Sequence, residues 1–150
     1  MKRKTKSRLL MLNANSSQSV TEGMESELAV KAALLNIVID YDQIAAAPEA
    51  IESSEDVTLA HMLVTKHVQS CNYDAYVIAC FCDPGVAELR ALGYQNVFGI
   101  AESAMHVAAN IGSKFGIPSI LDVQVERHIK QLERAGLSIM LAEYLALNHG

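Results

Sequence analysis

The chain has 150 residues, of which 51% are hydrophobic and 19% charged. That suits one α/β domain with a real core and is too apolar for a disordered chain. The formal charge of −5 is uneven: residues 1–8 (MKRKTKSR) carry five basic groups and no acid, so the remainder stands near −10. This excludes nucleic acid as a partner, because the acidic body would repel phosphate and the basic start, without interleaved aromatics, reads as a solvated tail.

In chain order, Arg8–Asn13 (RLLMLN) is a short apolar run bounded by turn residues and reads as a buried strand. The run is too short for a signal peptide. No segment reaches the roughly 18 apolar residues of a membrane span, so a cytoplasmic protein with no membrane contact is expected. Asn15, Ser16 and Ser17 form a turn. Ser19 and Glu22 match a capping box, predicting a helix from there to about Leu34. Asn36–Asp40 (NIVID) is the second predicted strand, and residues 41–53, with Pro48, are a loop. Ser54–Gln69 has helical spacing, with Val57, Ala60, Leu63, Val64 and Val68 on one face.

Asp74–Cys80 (DAYVIAC) is the clearest buried strand. Asp83 can cap a short helix after it, with Pro84 in the first helical position. Asn96–Ile100 is the fourth predicted strand, and Glu102–Lys114 a helix with Ala101, Met105, Ala108 and Ala109 apolar. Gly116–Leu121 is the fifth strand. Val123–Ala135 is a helix stopped at Gly136, and Ser138–Leu141 begins a sixth strand. Such alternation predicts an α/β fold: a mostly parallel, Rossmann-like sheet with helices on both faces. Ligands then bind beyond the carboxyl ends of the strands.

Three strand ends carry chemistry. Asn13, Ser16 and Ser17 offer amide, hydroxyl and helix N-terminal donors to a carboxylate or imide oxygen, although the same residues would also make an ordinary turn and cap. Cys80 ends a buried strand shortly before a helix, a place that favours a thiolate. Cys80 and Cys82 could equally be two buried structural cysteines, and one C-x-C pair with no second cluster is poor support for a metal. The odd count of three, with Cys71, is no disulfide framework. Glu102 and Ser103 fall at the next helix start, where Glu102 also suits the helix dipole. His61 and His67 are six apart, poor spacing for a shared metal, and His106 stands alone. Neither GxGxxG nor GxxxxGK[ST] occurs, which argues against a nucleotide site.

The stretches LNANSS, YDAYVIACFCDPGVAELRAL and VFGIAESAMHVAANIGSKFGIPSI together resemble the Asp/Glu/hydantoin racemase family, most of all its hydantoin-racemase branch. The resemblance runs through most of residues 8–121 and more loosely to about 141. It implies a PLP-independent isomerase with no cofactor and no metal, acting on a 5-substituted hydantoin or related amino-acid derivative. Two cysteines on opposite faces of the substrate would move the proton. One removes it from the chiral carbon and the other returns one from the far side, inverting the centre. By position in these motifs, Cys80 corresponds to the first catalytic cysteine. Asn13, Ser17, Phe81, Asp83 and Glu102 correspond to substrate-binding residues. Cys82 stands where the family usually has a small or polar residue, and reads as a neighbour.

The sequence departs from the family in one respect: no cysteine follows Cys82. Family members are longer, with a second lobe that carries the second cysteine. The expected organisation is therefore a basic tail (1–8), a first racemase-like lobe (9–115) and an incomplete start of a second lobe (116–150), in a truncated chain with impaired inversion. Apolar surface left by the missing lobe would favour a homo-oligomer. The alternatives are a non-catalytic small-molecule binding or oligomerising domain on the same fold, and a decarboxylase or cis–trans isomerase of the same superfamily.

Overall fold

The computed structural model describes residues 6–119 and 122–146. Contacts divide the chain into two compact units, Met1–Gly99 and Ile100–Gly150, where the sequence reading set its boundary after residue 115. Residues 1–5 of the basic start lie outside the described residues. Arg8 already belongs to the first strand, where its guanidinium pairs with Asp40 and sits 4.8 Å over the Tyr73 ring.

The first unit holds strands β1 (Arg8–Asn13), β2 (Val38–Gln43), β3 (Ala75–Ile78) and β4 (Val97–Gly99), with helices α1 (Gln18–Leu35), α2 (Ser54–Gln69) and α3 (Val86–Ala91) between them. All neighbours pair in parallel, in the order β2-β1-β3-β4. The chain steps one way from β1 to β2, and the other way from β2 across β1 to β3. Right-handed crossovers therefore put α1 on one face and α2 with α3 on the other. This is the parallel α/β architecture expected from the alternation.

Side-chain alternation decides which face each strand residue serves. Leu10 and Leu12 of β1, Tyr76 and Ile78 of β3, and Val97 of β4 meet Val64 and Val68 of α2 and Val86 and Leu89 of α3 in the buried core. Helix α2 forms over the expected span because Ser53 and Asp56 make a full capping box: Asp56 N–H donates to Ser53 Oγ (3.0 Å) and Ser53 N–H to Asp56 Oδ2 (2.9 Å). Those hydrogen bonds from Ser53 hold the Asp56 carboxyl below the usual carboxylate range.

The other face is thinner. No residue of α1 is buried, and Val30, Leu34 (81% exposed) and Leu35 face outward. The capping box expected at Ser19 does not form. Helix α1 starts at Gln18, and Ser17 is its N-cap without a side-chain cap bond. The cause lies in the preceding turn, where Ser17 N–H donates to Asn15 Oδ1 (2.9 Å) and the helix is launched before Ser19 is reached. Strand β2 likewise begins two residues later than expected. Asn36 is the left-handed C-cap of α1 (φ 55°), donating its N–H to Ala33 O, and so cannot be in the strand.

At the amino-terminal end of the sheet, the buried Tyr76 hydroxyl accepts from Tyr73 N–H (3.0 Å) and donates to Cys71 O (3.1 Å). Its ring meets those of Tyr73 and Tyr94 edge to face. Tyr76→Phe strands both backbone partners and should cost about 1–3 kcal/mol. The expected readout is a lower urea midpoint with an unchanged slope; a midpoint equal to wild type would show that the hydroxyl contributes nothing.

The second unit comprises α4 (Ile100–Ile111), β5 (Phe115–Ser119), α5 (Asp122–Ala135), a 3₁₀ turn (Ser138–Met140) and β6 (Leu141–Ala146). Strands β5 and β6 pair in parallel as a two-stranded sheet, separate from the four-stranded one. Ala101, Met105, Ile117 and Leu132 make its core. Gly136 (φ 68°) ends α5 as expected. Ser138, read as the start of a strand, instead opens the 3₁₀ turn, and β6 starts at Leu141. The last residues of the expected fifth strand, 120–121, lie outside the described residues. Burial of His128 (5% exposed), with a smaller contribution from Arg127, pushes its imidazole below the usual histidine value.

Candidate functional site

In the four-stranded sheet the strand order reverses between β1 and β3. At such a switch point the loops leave in opposite directions and open a crevice beyond the carboxyl ends of the strands. Leu12 pairs with Ile78, and Ala79 N–H donates to Leu12 O (2.8 Å). Asn13 is the last residue of β1, still paired with Gln43 of β2, and Cys80 lies just past the carboxyl end of the adjacent β3.

Asn13 is 1% exposed, and its amide is committed to the loop after β1. Its Nδ2 donates to Ser17 O (3.1 Å) and Thr21 Oγ1 (3.2 Å), and its Oδ1 accepts from Asn15 N–H (3.2 Å). Gln43 Nε2, at the end of β2, donates to Ser16 O (3.1 Å), and Ile44 N–H donates to Asn13 O and Asn15 O. The loop is thus rigidly braced, and Asn13 acts on it from beneath. Ser17, half-buried, places its Oγ 3.0 Å from that of Ser19. The first N–H groups of α1, unsatisfied within any helix, open at the same end.

Beyond β3, Cys80 to Asp83 form a turn closed by Asp83 N–H donating to Cys80 O (2.9 Å). Cys80 is half-buried and packs against the margin of the core, while Phe81 stands 40% exposed at the turn's tip. Cys82 Sγ lies 3.3 Å from Cys80 Sγ. Asp83 adopts a left-handed conformation (φ 47°), which Asp tolerates better than most residues. Asp83 does not cap α3 and Pro84 does not open it. Gly85 (φ 78°) is the N-cap, and the helix starts at Val86. The left-handed turn at Asp83 carries its carboxylate toward β4, where it lies against Gly99 so closely that a methyl group there would overlap it. Residues 81–85 thus separate Cys80 from the helix start that the sequence reading set beside it. Gly85 N–H instead donates to His61 Nδ1 (3.1 Å), which lies 3.3 Å from Glu88 Oε2.

The first unit therefore holds Asn13 and Ser17 at and after the carboxyl end of β1, and Cys80, Phe81 and Asp83 after that of β3, its neighbour in the sheet. Glu102 and Ser103 occupy the first turn of α4 in the second unit, with Glu102 half-buried, and His106 is exposed further along that helix. Sequence reasoning placed Asn15 in the turn after the first strand and weighed His61 only as a metal ligand. It missed the bracing by Thr21 and Gln43 and the packing of Asp83 on Gly99; of these last three only Gly99, a glycine at the carboxyl end of a strand, offered a signal in the sequence. A groove of about 650 Å³ along α2 is lined by Thr58, His61, Met62, Thr65, Lys66 and Glu88 among others. It is an open surface feature that includes none of the strand-end residues. Among the described residues no group of three His, Cys, Asp or Glu side chains is placed to hold a metal ion.

Two sulfurs 3.3 Å apart cannot flank a carbon. Opposed proton donor and acceptor need about 3–3.5 Å each to the reacting atom, on opposite sides of it. Cys80 and Cys82 therefore present a single face to any substrate seated over the turn.

The chain is 34% identical over 148 residues to the hydantoin racemase of Paenarthrobacter aurescens, covering 95% of this chain and 62% of that protein. To the hydantoin racemase of Rhizobium meliloti it is 30% identical, covering 89% and 61%. The solved structure of allantoin racemase from Klebsiella pneumoniae superposes with a TM-score of 0.83 at 27% identity, covering 95% of this chain and 59% of that one. The chain thus spans about three-fifths of the length of these relatives. The family model described as Asp/Glu/hydantoin racemase matches residues 9–149, and with the fold and the relatives in agreement, the chain belongs to that family.

Proposed function

We propose that this chain carries one face of a cofactor-independent racemase site, with Cys80 as the acid/base that exchanges the proton on the chiral carbon of a 5-substituted hydantoin or related amino-acid derivative. The observation that carries the reading is a half-buried cysteine at the reversal point of a parallel sheet, next to a braced loop at the start of α1. The thiolate of Cys80 takes the proton; the electron pair passes into the adjacent carbonyl, and the resulting anion is planar. N–H donors at the start of α1 and the Ser17 hydroxyl, held still by Asn13 and Asn15, are suited to receive that negative charge. Phe81 and Asp83 remain part of the proposed substrate-binding set.

Because no cysteine follows Cys82, and Cys82 Sγ lies too close to that of Cys80 to act from the opposite side, the 150-residue chain should return the proton to the side it left. The expected result in deuterium oxide is isotope uptake at the chiral carbon of a 5-monosubstituted hydantoin that outpaces loss of optical rotation. Racemisation at the rate of isotope uptake would overturn the one-faced site; no uptake above the uncatalysed rate would overturn the acid/base role itself.

Self-association belongs to the same proposal. The outward-facing Val30, Leu34 and Leu35 on α1 support it, since contiguous apolar residues of this size are costly to leave in water. Light scattering should give a mass above that of one chain, and Leu34→Glu should lower it. A wild-type mass of one chain across the accessible concentration range would remove this part of the reading.

A further inference from the structure

Cys82 has no task in the acid/base reading, yet the Cys80–Asp83 turn holds its sulfur 3.3 Å from that of Cys80. Both cysteines are half-buried, so a small oxidant can reach the turn without unfolding it. From 3.3 Å, the two sulfurs need to close by little more than about 1 Å to reach the length of a disulfide bond. The third cysteine, Cys71, precedes β3 at the opposite end of that strand, with its sulfur 3.9 Å from Ser70 Oγ. It serves as an internal control.

We propose that Cys80 and Cys82 form a reversible dithiol–disulfide site, oxidised by hydroperoxides, in which Cys82 resolves the oxidised Cys80. In the first step the Cys80 thiolate attacks one oxygen of the hydroperoxide. The O–O bond breaks, Cys80 becomes a sulfenic acid, and hydroxide or alkoxide leaves and takes up a proton. In the second step the Cys82 thiolate attacks the Cys80 sulfur; the S–O bond breaks, and water leaves with the proton that Cys82 gave up. Two electrons pass from the two thiols to one hydroperoxide, so no further reductant or oxidant is needed. A dithiol such as dithiothreitol reverses the bridge by exchange. The site stands on the sulfur geometry alone. That the bridge also silences proton exchange rests on the acid/base reading of Cys80, because a sulfur in a disulfide can neither take nor give a proton.

The test treats the reduced 150-residue chain with hydrogen peroxide, alkylates the remaining thiols with N-ethylmaleimide and maps the peptides by mass spectrometry. The expected product has Cys71 alkylated and an intramolecular Cys80–Cys82 bridge two hydrogens lighter than the dithiol, fully restored by dithiothreitol. In Cys82→Ser the same treatment should stop at a sulfenic acid on Cys80 that dimedone captures, going on to sulfinic acid with excess peroxide. Dimedone capture should be several-fold higher than in wild type. Bridges that use Cys71 or join two chains, equal dimedone capture in the two proteins, or full alkylation of Cys80 and Cys82 after peroxide would each overturn the proposal. The mass readout needs no substrate, so it separates failure of this site from failure of the acid/base reading.

Discussion

Cys80→Ser should reduce isotope exchange at the substrate's chiral carbon by about 10²–10⁴-fold, the range a positioned acid/base contributes. Serine is nearly isosteric and suits a half-buried turn position, so fold and substrate affinity should be little changed. What is lost is ionisation, since an alkyl hydroxyl has no anion available near neutral pH, whereas a thiol does. Proton NMR in deuterium oxide follows the exchange directly. Two companions sharpen it: Cys71→Ser, at the other end of β3, should match wild type, and Cys82→Ser should stay within a few-fold. Wild-type exchange in Cys80→Ser would remove Cys80 from the chemistry. A loss shared equally by Cys82→Ser would make the pair, and not Cys80 alone, the working group.

Gly99→Ala should damage the site more than the fold. The missing side chain at the end of β4 is what admits the Asp83 carboxylate, and the added methyl would overlap all three of its outer atoms. The obstacle is the end of a movable side chain, so Asp83 can rotate away, and the stability loss should be at or below the roughly 1–3 kcal/mol of ordinary overpacking. Asp83 closes the Cys80 turn through its backbone, so displacing it shifts the turn that holds Cys80. Misplacement of about 1 Å at a reacting group can cost about 10²-fold in rate. The expected pattern is a urea midpoint close to wild type with a large loss of isotope exchange. Wild-type exchange in Gly99→Ala would show that the Asp83–Gly99 contact has no bearing on the site.

Much of the architecture was legible because it rests on local rules. Arg8–Asn13 and Ser54–Gln69 fall on the expected residues, since one is a bounded apolar run and the other has a face of Ala60, Val64 and Val68. The misses cluster where two local devices compete for the same residues. Ser19 and Glu22 look like a capping box, but the Asn15 side chain takes the Ser17 N–H first. Asp83-Pro84-Gly85 looks like a helix start, but Asp83 turns left-handed toward β4 and leaves the N-cap to Gly85. Asn36 could extend a strand as readily as it ends a helix, and the helix won.

By itself the sequence determined the alternation of strands and helices, the parallel sheet and the motifs at three strand ends, because periodicity, caps and apolar runs act over a few neighbouring residues. Only the tertiary structure decided that Asn13 spends its amide bracing a loop, that Asp83 lies on Gly99 and that the sulfurs of Cys80 and Cys82 face each other at 3.3 Å. Those outcomes depend on how β1, β3 and β4 stand beside one another, and a strand's neighbours in a sheet are set by long-range packing that no local pattern encodes.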